Sequence, residues 1–337
     1  MTAGKTLIHV GGAKTGTTAI QTALAQNRKQ LRSNRVLYPG AELHHSTNLF
    51  PIRQVNGFET IVKEGVEAWD GFCQEIKSWQ GNVVISSEVL LAIPENVINE
   101  IIDGFGRSHV EILITARSPY ELVISQWQES IKAGDTISLA QFSDEVSRGP
   151  NNPTPQSLRF WIVAGYVHAI ERWARKVGVK NVYVQCVDVT NGENTLRTFE
   201  KIAGIPHSLL GDGEQNQVNR SLTYSECELI RTCNEILLNG ESSNHLYSTV
   251  AQDVILQILA NKPNAHDPKI ELPESFYASI SPFVNSQVDE ILSSGVNILG
   301  DSSLLSRKPS TSGDSRLSDV MVNLETLKIL LNRYLKK

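Results

Sequence analysis

The residues best suited to chemistry lie close to the N-terminus, in the run Gly11-Gly12-Ala13-Lys14-Thr15-Gly16-Thr17-Thr18. Glycines let a backbone turn tightly, and the free amides that open a helix then face one anion. Thr17 and Thr18 add hydroxyl donors, and Lys14 adds a mobile positive charge. A second group is Arg117-Ser118-Pro119, followed by Ser125-Gln126-Trp127. Arg117 can present a forked guanidinium to a phosphate. Ser125, two turns further along a helix, can add a hydroxyl from the same side. Two sets of side chains could take a proton: Glu88, after Ser86-Ser87, and the adjacent pair His44-His45. Adjacent histidines in a polar loop are more often exposed or substrate-contacting than basic catalysts, which ranks them behind Glu88. In Asn219-Arg220-Ser221-Leu222, ahead of a helix with Glu226, Ser221 or Thr223 would also serve as an ordinary N-cap.

These residues need a scaffold. Thr6 to Val10 is a β-prone run that leads straight into the glycines, and from Thr17 to Leu31 the pattern is helical, with Ile20, Leu24 and Leu31 on one side. That is strand, loop, helix. Further strands are expected at Asn82–Ser86, Val110–Thr115 and Asn181–Gln185, with a weaker one at Val36–Tyr38. A helix follows the second of these from about Pro119 to Lys132. An amphipathic helix with Trp161, Ile170 and Trp173 precedes the third. Strands alternating with helices argue for a parallel sheet with covered faces, and for a ligand site beyond the carboxyl ends of the strands. After about residue 205 helices dominate, at 223–238, 248–260 and 275–293.

A nucleotide triphosphatase loop reads G-x-x-x-x-G-K-[ST]. Gly11 and Gly16 have that spacing, but Thr17 stands where the lysine belongs, and the lysine is two residues before Gly16. Neither Ser86-Ser87-Glu88 nor Thr115-Ala116-Arg117 supplies the strand-end aspartate that helps hold magnesium.

Lys14-Thr15-Gly16-Thr17-Thr18 instead resembles the 5′-phosphosulfate loop of sulfotransferases that use 3′-phosphoadenosine 5′-phosphosulfate (PAPS). Arg117 with Ser125 resembles that family's 3′-phosphate signature. The resemblance is to a bacterial-type member and covers roughly residues 5–205. It implies an α/β fold with a central parallel sheet and helices on both faces, the P-loop NTPase-like sulfotransferase fold, with a helical C-terminal part. It implies sulfuryl transfer to a hydroxyl or amine without a metal. PAPS contacts would come from Gly12, Ala13, Lys14, Thr15, Gly16, Thr17, Thr18, Ala19, Arg117, Ser125, Arg220 and Ser221. Lys14 would meet the bridging and transferring oxygens. Glu88 aligns where the cytosolic branch has a catalytic histidine, and carboxylate bases occur in the carbohydrate-modifying branch. The loop after Tyr38-Pro39-Gly40, with His44 and His45, is where the family often places acceptor-binding residues. Some cytosolic members have a tryptophan after the threonines; here Ala19 stands there, so adenine stacking at that position is lost.

The expected function is therefore PAPS-dependent sulfation of a carbohydrate, glycolipid or small-metabolite hydroxyl. The alternatives are a P-loop kinase or nucleotidase, and a catalytically silent nucleotide-binding homologue. The chain has 337 residues, 40% hydrophobic and 20% charged, enough for a sizeable core. Its net charge of −5 argues against bulk nucleic-acid binding. Four cysteines without a C-x-x-C pair make a disulfide framework or zinc site improbable. No apolar run approaches the roughly 20 residues that span a bilayer, and Met1 to Leu7 shows no signal-peptide pattern, so a cytoplasmic location is expected. One domain is expected over 1–300, with a PAPS-binding core at about 5–205 and a helical acceptor-side part at about 206–300. A Ser-rich linker follows at 301–316, then an amphipathic helix at 317–337. In that helix Leu317, Val320, Leu324, Leu327, Leu331 and Tyr334 recur in steps of three and four, a seam that would dock on its own domain or pair two subunits. Lys328, Arg333, Lys336 and Lys337 add a weaker membrane-surface option.

Overall fold

Leu7 and Ile8 are neighbours on a strand and must face opposite ways, yet both are fully buried. The strand that carries them is therefore covered on both sides. The computed structural model, which describes residues 4–12, 14–49, 66–151, 153–188, 191–211, 221–238 and 270–309, shows how. Its strands are β1 (Thr6–Gly11), β2 (Val36–Leu37), β3 (Asn82–Ser86), β4 (Val110–Ala116), β5 (Val182–Cys186) and β6 (Asn297–Leu299). Its helices are α1 (Thr17–Gln26), α2 (Arg28–Ser33), α3 (Val66–Ser78), α4 (Glu95–Phe105), α5 (Pro119–Lys132), α6 (Leu139–Ser147), α7 (Pro155–Ala164), α8 (Tyr166–Val177), α9 (Gly192–Ala203), α10 (Tyr224–Leu238) and α11 (Glu274–Ser293).

The strands form one sheet in the order β2-β3-β1-β4-β5-β6, and every neighbouring pair is parallel. Ile8, Val10, Ile85, Ile112, Ile114 and Val184 project to one face, where they meet Phe72 and Ile76 of α3, Ile98 and Ile101 of α4 and Trp173 of α8. Leu7, Val84 and Leu113 project to the other, against Ile20 and Leu24 of α1, Leu31 of α2 and Phe199 of α9. The fold is thus α/β, with helices on both faces of a central parallel sheet. β1 lies between β3 and β4, so the strand order reverses at its carboxyl end, the place where such sheets leave a crevice.

The elements differ from the periodicity in informative ways. The helix expected over Thr17–Leu31 breaks at Asn27, which leaves helical geometry (φ −101°, ψ 16°) to close α1 and open α2. The helix expected to contain both Trp161 and Trp173 is two helices, divided at Gly165. A Cβ on Gly165 would lie 2.3 Å from the Trp161 carbonyl oxygen, so the break needs glycine. β6 was not expected; three residues between Gly295 and Gly300 are too few to show a period. The stretch read as a linker begins with a 3-10 turn, Ser302–Ser306, capped by the Asp301 carboxylate, with Leu305 buried. The expected helices at 248–260 and 317–337 lie outside the described residues.

By contacts the chain divides into two compact units. The first comprises Met1–Pro119, Trp161–Gln215 and Pro282–Arg307 and holds the sheet. The second comprises Tyr120–Phe160, Asn216–Ser281 and Lys308–Lys337. In it Trp127 stacks on Tyr224, and the Gln128 side chain donates to the Leu222 carbonyl at 2.8 Å, which ties α5 to α10. Among the described residues no helix is long and apolar enough to cross a membrane.

Candidate active site

Between β1 and α1 the chain passes hard against β4. A Cβ on Gly12 would lie 2.7 Å from the Thr115 carbonyl oxygen, so only glycine allows the approach. The Gly12 amide donates there, to the Thr115 carbonyl and hydroxyl, each at 3.3 Å. Gly16 then takes φ 82° as the N-cap of α1, a left-handed conformation that glycine adopts without cost. Among the described residues no side chain caps this helix, and its first turn holds no acidic residue, so its positive end could attract an anion. The buried hydroxyls of Thr15 and Thr17 fold the loop by donating to the Gly12 carbonyl at 2.6 and 3.1 Å. Thr18 and Ala19 are exposed on the first turn of the helix, and Ala13 lies outside the described residues. Lys14 is half-buried and also left-handed, with φ 61°, a strain of roughly 1 kcal/mol or more for a residue with a Cβ.

At the end of β3, Ser87 stays extended and Glu88 begins a 3-10 turn, Glu88–Leu91. The half-buried Glu88 carboxylate accepts a hydrogen bond from the Gln21 side chain at 3.3 Å. His45 is fully buried and anchors its loop to β3. Its backbone amide donates to the Ser86 carbonyl, its Nδ1 accepts from the Ser86 amide, and its Nε2 donates to the Pro39 carbonyl, all at 3.0 Å. Both ring nitrogens are engaged by backbone, and burial pushes the ring's pKa down to about 3, so it is neutral. His44 is half-buried, and its Nδ1 is buried with no hydrogen-bond partner among the described residues. Nearby, Tyr38 donates to the Leu43 carbonyl at 2.7 Å beneath the Arg28 guanidinium, 4.9 Å from its ring centre. Burial pushes the Tyr38 phenol up; Arg28 opposes this and Glu88 adds to it.

At the end of β4, the Arg117 guanidinium donates to the Lys14 carbonyl at 3.3 Å, so the residue after β4 touches the loop after β1. Tyr166 fixes the Arg117 backbone from both sides: its hydroxyl accepts from the Arg117 amide at 3.1 Å and reaches the carbonyl at 3.3 Å. Beside the loop lies a cavity of about 170 Å³, mostly apolar, walled by Gly16, Ala19 and Ala23 on one side and Asp188, Leu196 and Leu210 on the other. Arg307 holds the Asp188 carboxylate at 3.1 and 3.2 Å.

Ser125 and Ser221 belong to the second unit. The Ser125 hydroxyl donates to the Leu122 carbonyl within α5, and Ser221 is exposed. It is Thr223 that caps α10: its amide donates to Glu226 at 2.8 Å and its hydroxyl accepts from the Glu226 amide at 3.3 Å. Arg220 lies outside the described residues. Sequence reasoning missed two polar residues in the first unit, His9 and Gln21. Each carried a signal: a histidine inside the apolar run of β1, and a glutamine beside Ile20 on the buried side of α1.

No family model and no curated protein matches the chain. Among solved structures, the crystal structure of a sulfotransferase from Alicyclobacillus acidocaldarius is similar at 13% identity and a TM-score of 0.44, over 86% of this chain and 94% of that one.

Proposed function

We propose that the chain moves a sulfuryl group from PAPS to a hydroxyl of a carbohydrate, glycolipid or small-metabolite acceptor. The observation that carries this reading is the contact of Arg117 with the Lys14 carbonyl beside an uncapped helix N-terminus. It supports two anion positions side by side. The loop takes the 5′-phosphosulfate, and Arg117 takes a second phosphate on the same nucleotide. The cavity beside Ala19 and Ala23 suits a flat, largely apolar base. An ATP–magnesium site is less well served. Thr17, where the triphosphate-binding lysine would stand, has its hydroxyl on the Gly12 carbonyl.

In the proposed reaction the acceptor oxygen attacks sulfur in line. The bond from sulfur to the bridging phosphate oxygen breaks, and adenosine 3′,5′-bisphosphate leaves. Lys14 and the loop amides stabilise charge gathering on the bridging oxygen. Glu88 takes the acceptor proton. His45, with both nitrogens on backbone, holds the acceptor-side loop in place, and His44 is the histidine left to meet an acceptor. The four cysteines, all buried free thiols, suit a reducing compartment such as the cytoplasm.

Calorimetry with adenosine 3′,5′-bisphosphate and with ATP–magnesium tests the reading. The bisphosphate should bind more than about tenfold tighter. Tighter binding of ATP–magnesium would turn the assignment toward a kinase, and no binding of either would remove the nucleotide.

A further inference from the structure

A string of buried polar side chains runs from Glu88 back to the anion loop. Gln21 is 1% exposed, and Ser86, His9, Thr115 and Thr15 are fully buried. The direction of each hydrogen bond follows from its ends. A carboxylate accepts, so Gln21 turns its amide nitrogen to Glu88, at 3.3 Å. The same nitrogen donates its other proton to Ser86 Oγ at 3.1 Å. Ser86 then donates to His9 Nδ1 at 2.9 Å, and His9 Nε2 donates to Thr115 Oγ1 at 3.4 Å. Thr115 donates to Thr15 Oγ1 at 2.8 Å, and Thr15 to the Gly12 carbonyl at 2.6 Å. Every donor has an acceptor only if His9 is neutral and protonated on Nε2. Burial, which pushes its pKa down to about 3, keeps the ring neutral, and the Ser86 hydroxyl on Nδ1 sets the tautomer.

Gln21 shares its helix face with Ile20 and Leu24, where an apolar side chain would avoid the cost of burying an amide. Its two donated hydrogen bonds account for the amide's presence, and one of them ends on the side chain assigned as the base. We propose that Gln21 is the positioning residue of Glu88, fixing the direction of its carboxylate, with Ser86 and His9 holding the amide from behind. This rests on the reading of Glu88 as the proton acceptor.

Gln21→Met keeps the length and removes the amide; Gln21→Glu keeps the shape and sets an acceptor against the carboxylate. Three readouts apply: calorimetric affinity for adenosine 3′,5′-bisphosphate, nitrogen-15 NMR of the Gln21 side-chain amide, and breakdown of PAPS with water as the accepting hydroxyl. Both variants should bind the bisphosphate as the wild type does. Their kcat should fall by up to about 10²-fold, the scale of a misplaced catalytic group, with KM for PAPS unchanged. The Gln21 amide signal should move in Glu88→Ala. An amide signal that ignores Glu88→Ala overturns the inference whatever the turnover. Normal kcat in Gln21→Met beside an inactive Glu88→Gln overturns the positioning role and leaves the base assignment standing. Normal kcat in Glu88→Gln overturns the base, and the positioning role with it.

Discussion

Lys14 combines a charge with a backbone conformation that costs energy. Its φ of 61° puts a Cβ where glycine would be easier, and the residue that follows Thr15 is a glycine at φ 82°. Strain retained in a glycine-rich loop at a helix N-terminus is what a functional demand on the side chain would leave. Lys14→Ala should keep the fold and slow transfer by roughly 10²–10³, the size of one lost preorganised contact. Lys14→Gly should be as slow, yet about 1 kcal/mol more stable to urea than Lys14→Ala, because the strain goes with the Cβ. A Lys14→Gly protein no more stable than Lys14→Ala would mean that the loop carries no strain at this position. Arg117 lends itself to a cleaner experiment, since Tyr166 holds its backbone without help from the guanidinium. Arg117→Ala should weaken adenosine 3′,5′-bisphosphate by about 1.5–3 kcal/mol and adenosine 5′-phosphate much less. Equal weakening in calorimetry would show that Arg117 does not read the second phosphate. Lys14 and Arg117 stood out as candidates from type and position alone. Gln21 was not, because its partners Ser86 and Glu88 lie 65 and 67 residues away in the chain.

Helix α9 shapes the cavity through one buried carboxylate. Glu200, 1% exposed, accepts from the Ser208 amide at 2.9 Å, the Leu210 amide at 2.8 Å and the Arg197 guanidinium at 2.5 Å. It folds the turn after α9 so that Leu210 and Gly211 form part of the cavity wall. Glu200→Ala should cost roughly 3–5 kcal/mol, since it removes the shared acceptor of the Arg197 guanidinium and two backbone amides. Bisphosphate affinity should fall as the wall loosens. Urea denaturation and calorimetry on the same protein separate the two effects, and unchanged affinity in a destabilised variant would show that this turn does not touch the nucleotide. Elements of this kind are found by periodicity, and their ends are set by single residues. α1 and α2 read as one helix because Ile20, Leu24 and Leu31 share a face, and only the tertiary structure shows Asn27 turning out of the helix to donate to the Ala23 carbonyl at 2.9 Å.

For the molecule as a whole, His9 and His45, the histidines buried among the described residues, set a response to acid. The pKa of His9 and of His45 is about 3 when folded, against an ordinary 6.5 when the chain is unfolded. Between these values the unfolded chain binds protons that the folded one refuses. Stability is therefore complete above the unfolded value and is lost as pH falls through the window, by about 1.4 kcal/mol per pH unit for each ring. Urea midpoints should drop steadily from pH 6.5 to 4, and less steeply in His45→Gln; a flat profile would mean that the rings are charged in the fold. Sequence alone determined the class of this molecule. Largely apolar runs at β1 and β4 argue for a sheet covered on both faces, and the glycines after β1 for a tight turn into a helix. Both are local properties, carried by residues within one run of chain. Strand order, the meeting of Arg117 with Lys14, and the contrast between His45 and Glu88 belong to the tertiary structure. Glu88 and His45 are 43 positions apart, and whether either can take a proton depends on what surrounds its polar atoms. Backbone occupies both nitrogens of His45, and the Gln21 amide donates to the Glu88 carboxylate at 3.3 Å. Hydrogen-bond partners chosen across the sheet leave no periodic trace along the chain, which is why the sequence could bring these residues forward and only the fold could show what surrounds them.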